Sequence, residues 1–270
     1  MGKVLNKLKR AVRRATTTPP TPEMRERYRL AALPRYVEAV TELPGFSCRV
    51  PDGPSFIASW EEIFDREIYN FKAGPGLLRI VDCGANVGVS CLYFRKRFPQ
   101  AKIIAFEPDP KIFAYLKNNL ASAGCQDIDL VPKAVWSSTT TLRFHQEGAD
   151  ASRVSGGTEK NLVEIPAVRL RDYLNEPVAF LKIDIEGAET EVIRDIAPCL
   201  HLVRNLFVEY HSFAGQPQTL GTLIQTLVEA GFRVHLHPVH VSPRPFLELT
   251  SHLGMDMQLN IFARRDTAAD

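Results

Sequence analysis

The sequence predicts an α/β protein: a doubly wound, mostly parallel seven-stranded sheet with a small N-terminal accessory region. Three observations carry this. From Leu78 onward, short apolar runs alternate with amphipathic stretches, the rhythm of repeated strand–helix units. Two of the runs, RIVDC (79–83) and FLKID (180–184), carry an acid at or near their end and lead into a glycine-bearing turn. A chain of 270 residues, 45% hydrophobic and 24% charged, can also bury one full core.

The elements follow in order. Strands are predicted at 78–82, 102–107, 128–132, 178–184, 204–210, 232–237 and 257–264. Helices are predicted at 88–98, 110–122, 188–196 and 217–230. Residues 139–169 break the rhythm and read as two strands around a polar loop. Three segments are therefore expected: a basic arm and Pro/Thr linker (1–22), accessory helices and a hairpin (23–75), and a main domain (76–265) with a β insertion at 139–169. Within the accessory region, FSCRVPDGPSFIAS (46–59) reads as two short strands about a Pro-Asp-Gly-Pro turn. SWEEIFDREIYNF (59–71) reads as a helix capped by Ser59 that could stand beside a cleft at the sheet.

Composition excludes several classes. No apolar stretch reaches the ~20 residues that span a bilayer. Five cysteines without a CxxC pair suggest reduced thiols in a cytoplasmic protein, with neither a zinc site nor a disulfide framework. The net charge is +2, but six cations and no acid lie in residues 1–14, so the remainder carries −4. No nucleic-acid partner is expected of such a body. Val4, Leu5, Leu8 and Val12 fall at near-helical spacing among the arm's cations. The arm reads as a solvated terminus, as a peripheral contact with an anionic membrane surface, or as an acid-poor, Arg-rich organellar transit peptide.

The first turn, DCGANVG (82–88), places Gly84 and Gly88 where the backbone must bend tightly and approach a ligand. Asn86 stands where a middle glycine often occurs, and Asn tolerates the left-handed conformation. In an open parallel sheet, ligands bind beyond the carboxyl ends of the strands. Glu107 ends the second strand, where a carboxylate can accept both hydroxyl protons of a ribose. Pro108 stops that strand, Asp109 caps the next helix and Pro110 suits its first turn. Asp82 ends the strand before the turn. An acid there is poorly placed for a pyrophosphate but suits a ligand carrying an ammonium group.

The second turn, IDIEGAETEVI (183–193), offers Asp184 and Glu186 as a candidate base or metal ligands. Glu189 and Glu191 read as compensation for the helix dipole. Glu209 and His211 lie two apart on a strand, hence on one face, and His211 titrates near neutrality. Asp184, Glu186, Glu209 and His211 could alternatively hold a divalent cation. His235, His237 and His240 read as structural.

Together VDCGANVGVSCLYFRKRFP, IIAFEPDPKIFAYLKNNL, VPKAVWSS, LKIDIEGAETEVI and VEYH resemble the FkbM family of S-adenosylmethionine-dependent methyltransferases, over about residues 60–265. The resemblance implies a sheet in order 3-2-1-4-5-7-6 with the last strand antiparallel, and S-adenosylmethionine as donor. It implies that Asp82, Gly84, Ala85, Asn86 and Gly88 line the methionine end. Glu107, with Pro108 and Asp109, would hold the ribose, and Ala134 and Val135 would approach the adenine. It further implies O-methylation of a sugar, glycolipid or polyketide-like acceptor, with Asp184, Glu186 and His211 as catalytic candidates. Two alternatives remain: an NAD-type oxidoreductase or epimerase, and a non-catalytic cofactor-binding module.

Overall fold

A computed structural model describes residues 19–74, 76, 78–145, 153–154 and 162–265. The basic arm and most of the polar loop within 139–169 lie outside them. Helix α1 (Pro22–Ala31) opens the described chain. A hairpin of β1 (Ala39–Thr41) and β2 (Cys48–Val50) follows, then helix α2 (Gly53–Trp60) and a π-helical turn (Glu61–Asp65). The alternating part contains β3 (Arg79–Cys83), α3 (Val89–Arg97), β4 (Lys102–Phe106), α4 (Pro110–Ser122) and β5 (Asp129–Val131). It continues through β6 (Ala134–Trp136), β7 (Thr140–His145), β8 (Arg153–Val154), β9 (Leu162–Arg169), β10 (Val178–Ile183) and α5 (Glu189–Ile196). It closes with β11 (Val203–Phe213), α6 (Leu220–Glu229), β12 (Arg233–Val241) and β13 (Met255–Arg264).

The main sheet has seven strands in the order β12-β13-β11-β10-β3-β4-β5. The pairs from β11 to β5 are parallel, and β13 runs antiparallel to both of its neighbours. This is the order implied by the resemblance. The central strands are near-continuous apolar runs because helices cover both faces of the sheet. On one face lie α3 and α4; on the other, α5 and α6. The first six residues of α3 are all buried. A helix apolar all round must be covered on both sides. Here the sheet covers one side and the accessory segment the other, with Phe64 edge-on to Tyr93 at 5.4 Å and Tyr69 against Phe94 at 5.7 Å. Accessory residues and sheet therefore share one core.

Two accessory expectations change. Only the first half of 46–59 is a strand, and its partner β1 lies upstream. Asp52 is an N-cap whose Oδ1 accepts from the Ser55 amide at 2.9 Å, and Pro54 sits in the first turn. The turn chemistry of Pro-Asp-Gly-Pro thus starts a helix, and Ser59 lies inside it. The 139–169 segment supplies three strands where two were expected, β7, β8 and β9, which join β6 in a separate four-stranded sheet. Among the described residues, no helix is long and apolar enough to cross a membrane.

Candidate active site

Two strand-to-helix turns meet at the carboxyl ends of β3 and β10. In the first, Gly84, Asn86 and Gly88 adopt φ of 90°, 48° and 98°. A Cβ on Gly84 would lie 1.9 Å from the Asp184 carbonyl oxygen, so the two turns pack backbone against backbone. The Gly84 and Ala85 amides donate to the Phe106 carbonyl at 3.0 and 2.9 Å, which pins the turn to the end of β4. Glu107, buried there, accepts from the Asn86 amide at 3.0 Å and the Asp109 amide at 2.9 Å. Burial outweighs these bonds and pushes its carboxyl up to about 7. Asp109 is buried and caps α4 through the Lys111 and Ile112 amides at 2.8 and 3.1 Å.

Asp82 and Lys182 are cross-strand partners in the parallel pair β3–β10. Lys182 Nζ lies 3.4 Å from Asp82, 3.1 Å from Asp184 and 2.7 Å from the Gly84 carbonyl. Burial works against the charged ammonium, but the two carboxylates prevail and raise its pKa. One buried ammonium thus ties the first strand end, the second strand end and the glycine turn together.

The second turn concentrates acid. Glu186 takes φ of 56° and Gly187 of 101°, a left-handed pair that swings the chain into α5. Glu189 is buried and accepts from the Gly187 amide at 2.8 Å and from His211 Nδ1 at 2.9 Å. His211 Nε2 then faces Glu186 at 3.6 Å and Glu209 at 3.9 Å. Gln258, opposite His211 on β13, donates to Glu209. Burial pushes Glu186 up to about 8 and Glu209 to about 7, with neighbouring carboxylates adding to the rise. Burial alone would lower the imidazole, but Glu186 and Glu189 hold it well above its ordinary value.

A small cleft of about 90 Å³, open to solvent, lies where these turns meet the accessory segment. Gly84, Ala85, Asn86, Val87, Val89 and Ser90 form one wall; Lys182, Asp184 and Glu209 lie at its base; residues 51–69 form the facing wall. The profile of the "Methyltransferase FkbM domain" matches residues 82–234, which include both turns. The chain belongs to the FkbM family of methyltransferases. It is 30% identical to "Methyltransferase sdnD" of Sordaria araneosa, over 71% of this chain and 88% of that one. It is 26% identical to "31-O-demethyl-FK506 methyltransferase FkbM" of Streptomyces tacrolimicus, over 65% and 81%. It is 24% identical to "2-O-methyltransferase NoeI" of Sinorhizobium fredii, over 48% and 62%.

Within this FkbM methyltransferase, Gly84, Ala85 and Asn86 border the cleft and Gly88 caps α3 behind it. Several expected residues stand elsewhere. Asp82 is fully buried, bonded by the Ser90 hydroxyl and faced by Lys182, because a strand-end acid beneath a packed turn has no path to solvent. Asp109 is committed to its cap, and Pro108, half-buried, ends β4. Ala134 and Val135 begin the separate strand β6 and are buried in core packing, and neither borders this cleft. Asp184 borders the cleft, but the His211 side chain is 1% exposed and sits behind Glu209 and Glu186. Glu189 does more than offset a dipole, since it orients that imidazole. Four residues escaped the sequence reading as site members: Lys182, Glu62, Tyr69 and Gln258. Lys182 left a signal as a lone charge inside an apolar strand run, and Glu62 and Tyr69 lie in the segment expected beside the cleft.

Asp184, Glu186 and His211 bring one ligand atom each within 4.8 Å of one another. Asp184 already faces the Lys182 ammonium at 3.1 Å, and the neighbouring carboxylates raise the His211 pKa, so a cation there would compete with positive charge already in place.

Proposed function

We propose that this enzyme methylates a hydroxyl of a sugar, glycolipid or polyketide-like acceptor, using S-adenosylmethionine. The observation that carries the reading is the pairing of the two turns across one cleft: a left-handed glycine/asparagine cradle backed by Glu107, facing the carboxylates Asp184 and Glu209. The residues fit the donor. The start of α3 at Val89 and Ser90 presents a helix N-terminus to an anionic group. Glu107 suits a ribose. When bound, the donor supplies an electrophilic methyl on a sulfonium. Two relatives named for a 31-O-demethyl and a 2-O activity support oxygen as the acceptor atom.

The chain's own work is positioning and proton removal. A hydroxyl is a weak nucleophile, so its proton must leave as the new C–O bond forms. Asp184 and Glu209 are the carboxylates at the base of the cleft that can receive it. Lys182 faces Asp184 with its ammonium at 3.1 Å. His211, as an imidazolium clamped by Glu189, stabilises negative charge on Glu186 and Glu209. The proposed chemistry needs no divalent cation, because a metal on Asp184 would have to displace Lys182. Turnover unchanged after chelation checks this.

Calorimetric titration tests the donor assignment. S-adenosylmethionine should bind saturably and NAD should not, with binding lost in Glu107→Ala. NAD binding, or binding of neither, would overturn the reading. We propose in addition that residues 1–14 contact anionic membrane from the cytoplasmic side. Vesicle co-sedimentation should disappear when the chain starts at Glu23.

A further inference from the structure

We propose that Glu62 and Tyr69, with Asp184 and Glu209, form an acceptor subsite for uncharged or amino-bearing polyols that rejects acceptors carrying phosphate or carboxylate. The inference rests on the methyl-transfer reading above and names the class of molecule that reading left open.

Position comes first. The cleft has two walls of different origin. The donor-side wall, residues 84–90, lies within the stretch matched by the family profile. The facing wall, from Pro51 to Tyr69, lies entirely before residue 82. A group that approaches a donor held on the first wall must touch the second.

Tyr69 supplies an observation that points to a ligand. The residue is 3% exposed, and its ring is locked by Phe207 at 4.8 Å, Phe94 at 5.7 Å and Phe180 at 5.9 Å. It borders the cleft, yet its hydroxyl makes no hydrogen bond with any described residue. A hydroxyl held at a solvent-open cleft bonds water that a ligand oxygen can replace. A polyol oxygen in the cleft would supply the partner. Glu62 stands on the π-helical turn, closed by the Arg66 amide to the Glu61 carbonyl at 2.9 Å. Such turns recur at functional sites because the extra residue re-aims its neighbours. Trp60 stacks on Phe64 at 4.1 Å, which fixes the turn while Glu62 borders the cleft.

Charge sets the class. Among the described lining residues, Glu62, Asp184 and Glu209 are acids, and Lys182 is the sole cation. An ammonium has three protons. Lys182 already faces three acceptors: the Gly84 carbonyl, Asp184 and Asp82. It has none left for a phosphate. The remaining lining acid, Asp52, is spent on its cap and on Arg35. An anionic acceptor would enter a carboxylate-walled cleft without a counter-charge, whereas hydroxyls and ammonium groups find acceptors.

The experiment uses the full chain saturated with S-adenosylhomocysteine. Binding is read by saturation-transfer NMR with methyl α-glucopyranoside, methyl glucosaminide, glucose 6-phosphate and glucuronate. The first two should bind at least tenfold tighter than the anionic pair. Tyr69→Phe should weaken the neutral probe about fivefold, and Glu62→Lys should reverse the order of preference. Glu62→Gln, a milder change, should narrow the preference if Glu62→Lys fails to fold. Anionic probes binding as well as neutral ones, no probe binding, or an order unmoved by both Glu62 variants would overturn the proposal. S-adenosylhomocysteine affinity is measured first in each protein. Its absence in the wild type would sink the donor reading itself, a result distinct from failure of the subsite.

Discussion

The two turns share a plan and differ in charge. Each follows a central parallel strand, each carries an acid at the strand end, and each uses residues with positive φ to enter a helix. In the first, the acid Asp82 is fully buried and neutralised, and glycine and asparagine shape the cleft wall. In the second, Asp184 stays a quarter exposed, and Glu186, Glu189, Glu209 and His211 crowd behind it. One turn works by shape and the other by charge. Mutations should therefore break them differently: bulk should ruin the first, and charge removal the second.

The largest effect is expected from Gly84→Ala. The new Cβ would meet the Asp184 carbonyl at 1.9 Å from a backbone with φ of 90°. Overpacking and left-handed strain together cost on the order of 4 kcal/mol. A denaturant midpoint close to wild type would show that the turns do not pack as described. Lys182→Met should follow, at about 3 kcal/mol, by stranding the buried Asp82 carboxylate. Combining it with Asp82→Asn should restore much of the loss. A double variant as unstable as the sum of the singles would deny the pairing.

His211→Ala sharpens the contrast from the other side. Donor affinity should stay near wild type, because neither wall of the cleft changes, while stability should fall by about 3 kcal/mol because the buried Glu189 carboxylate loses its partner. Turnover of any acceptor the wild type methylates should fall about 100-fold. The pH profile of kcat should move to higher pH, since Glu186 and Glu209 lose the imidazolium that favours their ionised forms. A fall in kcat with an unmoved profile would make His211 merely structural.

How far these differences were legible follows from their physics. The alternating elements and the glycine turn read out of the sequence because periodicity and φ > 0 preferences are local properties of the chain, whereas the strand order came only through the family resemblance. The Pro-Asp-Gly-Pro segment misled because the same residues serve a hairpin turn and a helix start, and only β1, upstream, decides between them. Asp82 and His211 were legible as strand-end residues but not in their exposure, which depends on what packs above them. Tyr69 and Glu62 lie in the 59–71 segment that the sequence placed beside the cleft, but neither was legible as an individual site residue. Their role follows from the fold-back of the accessory segment over α3, a long-range contact that no spacing encodes.

The smallest predicted effect concerns Glu107, the one strongly shifted acid on the shape-driven side. Burial raises its carboxyl from 4.5 in the unfolded chain to about 7 in the fold. Between those values the folded state binds more protons than the unfolded state, so this group's contribution to stability falls as pH rises. Donor binding should run the opposite way, because only the ionised carboxylate offers acceptors to both ribose hydroxyls. Affinity for S-adenosylmethionine should therefore be about tenfold weaker at pH 6 than at pH 8. Glu107→Gln should bind weakly with little dependence on pH. Its amide keeps the size of the side chain but cannot gain the charge. A wild-type affinity that is flat over this range would mean that the donor ionises Glu107 at no cost, or does not touch it. The pH dependence of the Gln variant separates the two: flat and equally tight removes Glu107 from the site, whereas flat and weak keeps it there as a carboxylate already ionised.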